Sequence, residues 1–487
     1  MSVTKRILKN TGILFVANIL SKFFGFLYFM CMARYLGAEG YGIISFALAF
    51  TGMFSILTDM GLQLLIVREV ARYKEIASKY LGNVVVIKFI LGIITFLLIF
   101  LSINLMGYPS ETKYVVYIIS LYVIINSFNL AFYSIYQAYE KMEYVGIGNI
   151  INSLLLFIGV LIGIYLNFNV LGLAFIYLTV SGIILLYNIT ITMFKFLKVK
   201  LEIDLNFWRE ILKKALPFAL SSIFVAIYFW ADSVMLSYMI GDRAVGIYNA
   251  AYRLVYVLLF IPTIYFTSIY PVLSKMYLES KNKISFMYHR SLKYISIVGL
   301  FIGIITTLFA EQIIVFIYGY EYFESVIVLK ILIWAVVFSF MAHATVYTLN
   351  SINKPQIYTK ITGFCAVLNI LLNIYAIQKL GYIGASITTV FTEFLGFLAM
   401  FLYLKYYFNE NIISYLWIIK LFFGLGLIAT FYLYTLNYIN KNIVLHSIIT
   451  LIFFITIITL IFIIIFDEID YKLFKKILKR RKNYGSS

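Results

Sequence analysis

Residues 11–33 read TGILFVANILSKFFGFLYFMCMA. The run is long enough to cross a bilayer, which takes about 20 apolar residues. Its one charge, Lys22, sits near the middle. A lysine at that depth is costly in hydrocarbon and must face protein or water. The chain should therefore fold around a polar interior, as a transporter with a few charges in its cavity does.

The remaining sequence repeats this pattern. Of its 487 residues 63% are hydrophobic and 12% charged, and the mean hydropathy is +0.97; long apolar runs on this scale place the chain in the membrane class. Fourteen apolar spans are expected, at 11–33, 41–66, 80–104, 114–139, 145–166, 170–194, 215–240, 245–273, 291–310, 325–350, 356–378, 382–404, 414–436 and 443–466. With aromatics at 19%, including 42 Tyr and 45 Phe, interfacial belts are expected as well. The fold class is all-α integral membrane, with about 14 transmembrane helices.

Net charge is +18, which in a soluble chain would suggest nucleic acid. Here the basic residues fall in short connections and the tail, so the positive-inside rule accounts for them and no nucleic-acid partner is expected. They mark the N-terminus (Lys5, Arg6, Lys9), the segments Arg68–Lys79, Lys195–Lys214 and Lys275–Lys293, and the tail from Lys472 to Lys482. The alternate connections hold only Arg34, Lys113, Arg243, Lys379 and Lys441. The expected topology has both termini cytoplasmic, in a multi-pass protein of the cell membrane. The short basic N-terminus followed by a long span reads as an uncleaved first helix rather than a signal peptide. Cys31 and Cys365 lie inside apolar spans, and His289, His343 and His446 are scattered, so neither a disulfide framework nor a metal site is indicated.

A repeat divides the chain. The hairpin at 34–43, RYLGAEGYGI, matches the one at 238–247, YMIGDRAVGI, at an offset of 204 residues, pairing Gly37 with Gly241, Gly42 with Gly246 and Ile43 with Ile247. An even number of spans between copies makes the halves parallel, a transporter architecture. The expected division is 1–194 as an N-terminal six-helix lobe and 195–214 as a cytoplasmic amphipathic linker. A pseudo-symmetric C-terminal lobe follows at 215–404, then an appended helical hairpin at 405–466 and a basic cytoplasmic tail at 467–487.

Function must rest on the few polar groups inside the spans. Lys22 and Glu393 lie mid-span, and Asp232 and Arg253 flank the second hairpin at similar depth. The latter two read either as a neutralising pair or as a cavity pair opened by an anion, since arginine's planar fork suits diphosphate. Glu393 could bind a proton or sodium ion, or pair with Lys22. Asn18 shares a helix face with Lys22, Asn126, Asn129 and Gln137 form a second face, and Asn152 adds to a third, next to Asn149. These amides suit sugars, though amides also join helices. Asp59 is expected to cap its helix or pair with Arg68, while Lys88, Lys330 and Lys420 are expected to snorkel. No G-x-x-x-x-G-K-[ST] run occurs, so no ATP-driven engine is present. No long outer loop carries paired carboxylates, which argues against an enzyme such as a glycosyltransferase or polymerase.

Several motifs, in order, resemble the polysaccharide transporter (Wzx-like oligosaccharide flippase) family of the multidrug/oligosaccharidyl-lipid/polysaccharide exporter superfamily. They are ARYLGAEGYG (33–42), DMGL (59–62) with REVAR (68–72), DSVML (232–236), VGIYNAAYRL (245–254), YPVLS (270–274), NKP (353–355) and GYIGASITT (381–389). The resemblance covers almost the whole chain. It implies two six-helix lobes plus a terminal hairpin, and flipping of a polyprenyl-diphosphate oligosaccharide lipid from the cytoplasmic to the outer leaflet by alternating access. Implied too are coupling to Na+ or H+ without any other cofactor, contact with membrane lipid, and cooperation with glycan polymerase or glycosyltransferase machinery. On that basis Lys22 and Arg253 would receive the pyrophosphate, and Asn249 lies in one of the family motifs. The alternatives are a cation-coupled multidrug exporter of the same superfamily and an uncoupled lipid scramblase.

Overall fold

The computed structural model describes residues 3–197 and 201–409. Residues through Phe401 form one compact unit, and those from Leu402 belong to a second. The described residues are helical apart from short connections. In hydrocarbon each backbone N–H and C=O must be satisfied within its own segment, and the Ile-, Leu- and Phe-rich spans do this as helices.

In chain order the helices are α1 Val3–Asp59, α2 Leu62–Arg72, α3 Ala77–Leu105, α4 Ser110–Ala138, α5 Met142–Tyr165 and α6 Val170–Lys195. They continue with α7 Leu205–Met239, α8 Asp242–Leu258, α9 Phe260–Glu279, α10 Lys281–Leu308, α11 Ala310–Tyr318, α12 Ser325–Ser351 and α13 Pro355–Phe408. Every span expected before residue 405 coincides with helix. The two expected at 414–436 and 443–466, with Lys420 and the basic tail, lie outside the described residues. α1 packs against α4, α5, α7 and α8, α4 against α6, and α12 against α8, α9 and α10.

Three features of the helices depart from the sequence expectation. The span 41–66 is broken at Met60 and Gly61, which adopt φ of 45° and 78°. The span 245–273 is broken at Leu259, where Pro262 removes a donor and restricts the residue before it. The amphipathic stretch from Asn206 is no separate helix but the first turns of α7. Asp204 caps it by accepting from the Phe207 N–H at 3.0 Å. Asn83 Oδ1 ties this start to α3, accepting from Asp204 N at 3.0 Å and Trp208 Nε1 at 2.8 Å. Lys79 donates to the exposed Asp204 carboxylate at 2.9 Å, and this bond holds the Asp204 carboxyl below its usual range.

Asp59 and Lys88 also behave differently from expectation. Lys88 is fully buried and bonds Asp59 Oδ1 at 2.7 Å and the Thr58 carbonyl at 3.3 Å. The α1–α2 break turns Asp59 toward α3, within reach of Lys88, so the lysine neither snorkels nor leaves Asp59 to Arg68. Arg68 pairs with Glu69 instead, at 2.8 Å. Part of the helix-cap expectation survives, since Asp59 Oδ1 also accepts from Gln63 N at 3.3 Å.

The hairpins at Gly37 and Gly241 meet at one end of the bundle. Both glycines have positive φ, 69° and 119°, which costs glycine little. A Cβ on Gly42 would overlap the Asp242 carbonyl oxygen, and one on Gly246 would overlap the Ala38 carbonyl oxygen. At the repeat offset of 204, Asp242 is the counterpart of Ala38 and Gly246 of Gly42. Each hairpin thus presses its glycine onto the same carbonyl of the other, the reciprocal contact that a two-fold axis produces. Side chains reinforce this end. Arg34 Nε donates to the Ile317 carbonyl at 2.7 Å, and its Nη2 to that of Phe316. Glu321 accepts from Ala38 N at 2.9 Å, and Arg243 meets Glu324 at 2.8 Å.

Two outcomes test these contacts. Gly246→Val should cost about 1–3 kcal/mol, the usual range for overpacking, and part the hairpins. In a background lacking Cys31 and Cys365, maleimide labelling of Ala47→Cys, buried in this structure, should then rise several-fold; an unchanged rate would mean the contact closes nothing. Lys88→Met alone should destabilise by about 3–5 kcal/mol, because it strands a carboxylate. Adding Asp59→Asn should recover much of that loss in a thermal unfolding assay.

Candidate functional site

Two cavities, about 320 and about 400 Å3, adjoin along α1 and share Tyr28, Phe29, Tyr122 and Arg253. The smaller is lined by Asn18, Ser21 and Lys22 from α1, Asn149 and Asn152 from α5, and Arg253 from α8. The larger takes Asn126 from α4, Asp59 and Gln63 from the α1–α2 break, and Trp230 from α7. α8 carries Arg253 into this space because the glycine contact draws α8 against α1.

Arg253 is the central charge. Its guanidinium stacks 4.0 Å from the centroid of Phe29. Its Nε is buried without a hydrogen-bond partner among the described residues, and no described carboxylate forms an ion pair with it. A cation–π contact contributes about 2 kcal/mol when desolvated, whereas a lone arginine at membrane depth costs about 2.5–3.5 kcal/mol. Phe29 therefore offsets only part of that cost. Asp59 lines the same cavity but is already neutralised by Lys88. The space keeps an uncompensated positive charge.

Lys22 lines the smaller of these cavities. It also lines a groove of about 300 Å3 between α1 and α8–α9, whose other walls include Phe15, Ile19, Phe23, Val257 and Phe260. Its Nζ sits 5.7 Å from the Phe260 ring centroid. Lys22 thus stands where a polar cavity meets an apolar groove.

Asp232 does not pair with Arg253. Its carboxylate faces α8 and α13, whereas Arg253 faces α1. Residue Asp232 is 5% exposed and accepts from Asn373 Nδ2 at 2.7 Å, the Tyr248 hydroxyl at 2.7 Å and Thr389 Oγ1 at 2.6 Å. The network extends from Thr388 to Asn373 Oδ1 and from Asn373 Nδ2 to Asn369 Oδ1 at 3.0 Å. Similar depth on consecutive helices did not imply contact, because the two side chains leave their helices in different directions.

Glu393 does not meet Lys22, which lines other cavities. It opens into a separate chamber of about 370 Å3, accepting from the Tyr228 hydroxyl at 2.9 Å and Ser339 Oγ at 2.7 Å. His343 lines the same chamber and bonds the Ser339 carbonyl at 2.7 Å. Lys330 is exposed.

The amides divide. Asn18, Asn126 and Asn152 line the cavities. Asn129 is buried between α4 and α6, donating to the Ser181 carbonyl at 3.2 Å and accepting from Asn188 at 3.0 Å. Asn249 joins α7 and α8, donating to Ser233 Oγ at 3.0 Å. Gln137 lines none of the described cavities. Sequence reasoning missed the aromatic walls Tyr28, Phe29, Tyr122 and Trp230. In a chain with 42 Tyr and 45 Phe, one aromatic residue carries no contrast; only the glycine repeat, which fixes α8 against α1, pointed toward them.

Comparison with known proteins agrees with this architecture. A family model described as "Polysaccharide biosynthesis protein" matches residues 7–277, and a second, MatE, matches residues 217–375. The chain is 26% identical to the capsular polysaccharide biosynthesis protein CapF of Staphylococcus aureus over 412 residues, 82% of this chain and 99% of that protein. It is 23% identical to the probable low-salt glycan biosynthesis flippase Agl15 of Haloferax volcanii over 383 residues, 77% of this chain and 79% of that one. Its fold is shared with the lipid II flippase MurJ in an inward closed conformation, at a TM-score of 0.70 and 16% identity, covering 96% of this chain and 99% of that one. The chain is an all-α multi-pass membrane protein and belongs to the polysaccharide biosynthesis protein family.

Proposed function

We propose that this protein is a flippase that carries polyprenyl-diphosphate oligosaccharide from the cytoplasmic to the outer leaflet for cell-surface glycan synthesis, and is not itself an enzyme. The observation that carries the reading is Arg253, a cation with no acid partner among the described residues, in a cavity lined by amides and opening beside an apolar groove. A lipid diphosphate would complete the arginine's fork, which favours bidentate oxyanions, with Lys22 adding a second positive charge. Asn18, Asn126, Asn149 and Asn152 offer donors and acceptors to sugar hydroxyls. The polyprenyl tail would lie along the α1 and α8–α9 groove while the headgroup crosses.

The basic connections support a topology with both termini in the cytoplasm, which would set the glycine hairpins at the outer face of the cell membrane. Opening outward then requires Gly42 and Gly246 to part. The halves 1–194 and 215–404 would rock about that contact, with 195–214 joining them and 405–466 appended. Glycan polymerase or glycosyltransferase machinery would supply or consume the lipid.

Coupling would fall to Asp232. The carboxylate and the hydroxyl oxygens of Tyr248 and Thr389 beside it are hard oxygen donors, which suit Na+. Sodium or a proton there would neutralise the carboxylate and alter how α7, α8 and α13 hold together. No step of substrate recognition depends on it.

Sealed proteoliposomes loaded with fluorescent polyprenyl-diphosphate oligosaccharide test the proposal. Arg253→Ala should slow flipping at least about tenfold, the worth of one charge-assisted contact, and adding Lys22→Ala should abolish it. Flipping at the wild-type rate by the folded double variant would remove the cationic centre of the mechanism. Asp232→Asn should keep flipping but lose its acceleration by an imposed Na+ or H+ gradient. Gradient-insensitive flipping by the unaltered protein would point to a scramblase instead.

A further inference from the structure

The groove and the two cavities along α1 form a series. The apolar groove shares Asn18, Lys22, Phe26 and Val257 with the smaller cavity, and the smaller shares Tyr28, Phe29, Tyr122 and Arg253 with the larger. Arg253 therefore stands where the two cavities join, and a group held beyond it lies in the larger, of about 400 Å3. That cavity has its own chemistry. Asp59 and Gln63, on either side of the Met60–Gly61 break, both line it, with Asn126 from α4 and Trp230 from α7. The side-chain amides of Gln63 and Asn126 and the Trp230 indole N–H form no hydrogen bond among the described residues. Asp59 Oδ1 is taken by Lys88 at 2.7 Å, whereas Oδ2 has only a long contact with Gln63 N, at 3.5 Å. Trp230 is close-packed on α1. A Cβ on Gly52 would stand 2.7 Å from its Cε2 and Nε1, so the glycine reserves the place of the indole.

We infer that the larger cavity is the subsite for a neutral pyranose, the sugar next to the diphosphate, with Trp230 as its stacking platform and Asp59, Gln63 and Asn126 as its polar contacts; this rests on the reading of Arg253 as the diphosphate site. With the tail in the groove and the diphosphate in the smaller cavity on Lys22 and Arg253, the first sugar is the part of the lipid that reaches the larger cavity. A pyranose has two kinds of surface, a ring face of C–H groups and a rim of hydroxyls. The C–H face gains dispersion against an aromatic side chain, and its slightly positive hydrogens meet the negative face of the ring. The rim needs donors and acceptors together, which unpartnered amides supply and a carboxylate oxygen complements. An acidic sugar is the poorer fit. Asp59 would repel its carboxylate, Lys88 is fully buried and already committed to Asp59, and the charge of Arg253 is taken by the diphosphate. A purely apolar group would leave the amides and Asp59 Oδ2 without partners once water is displaced, which is costly.

The test is equilibrium binding of tail-labelled polyprenyl-diphosphate lipids to the full chain in nanodiscs, with the diphosphate bare, carrying one hexose, or carrying one hexuronate. The hexose lipid should bind about tenfold more tightly than the bare one, the worth of one or two hydrogen bonds, and the hexuronate lipid no more tightly than the bare one. Trp230→Leu and Asn126→Leu should each bring the ratio of hexose to bare affinity down to within about twofold of unity. Arg253→Ala should weaken binding of all three lipids. Equal binding of the bare and hexose lipids by the unaltered protein, a ratio that survives both substitutions in folded protein, or preference for the hexuronate lipid would overturn the inference and leave the Arg253 reading standing. Undiminished binding of the bare lipid by Arg253→Ala would instead overturn the Arg253 reading, and the inference with it.

Discussion

Charge inside hydrocarbon needs a partner, and the way each intramembrane charge meets that demand organises this structure. Lys88 and Asp59 satisfy one another. Asp232 is enclosed by neutral donors from two other helices, and Glu393 by two hydroxyls. Arg253 has a ring on one face and no acid among the described residues. Because Asp59, the acid that lines its cavity, is already neutralised, the positive charge is left for something that enters. A stable protein would gain by neutralising such a group; keeping it uncompensated makes sense when the compensation arrives with the substrate.

The glycine contact sets where that charge lies. Gly42 and Gly246 bring the backbones of two hairpins together with no side chain between, so α1 and α8 run side by side away from it. Arg253 stands two turns along α8 from Gly246, within reach of Phe29 and Tyr28 on α1. Buried apolar side chains flank the same contact in both hairpins, Tyr41, Ile44 and Ala47 on α1 and Val245, Ile247 and Tyr248 on α8, and Arg34 bonds the α11 carbonyls beside it. One end of the bundle therefore positions the arginine, and in the proposed cycle it is also the end that would open.

Much of the fold was legible in the sequence. Apolar run length located the helices up to residue 404, and the offset of 204 residues identified two hairpins that the structure joins reciprocally. Lys22 and Arg253 were recognisable because charge is rare in such runs. Pairings were not legible. Asp232 and Arg253 matched in depth, but depth leaves the rotation of each helix open, and rotation decides the partner. Asp59 and Lys88 were separated in the reading because the break at Met60 and Gly61, which turns Asp59 toward α3, falls inside a continuous apolar run. Amides divided between cavity and helix contact for the same reason: Asn126 and Asn129 lie three residues apart on α4, yet one lines a cavity and the other bonds α6.

The central claim is that the cavity recognises anionic linkage chemistry through Arg253. The most direct measurement compares flipping rates of two lipids with the same oligosaccharide and tail, one joined through diphosphate and one through an uncharged ether, in the unaltered protein and in Arg253→Gln. The account predicts strong preference for the diphosphate in the unaltered protein and collapse of that preference in the variant, with the ether-linked lipid little affected. Equal preference in both proteins would contradict it and move phosphate recognition away from Arg253.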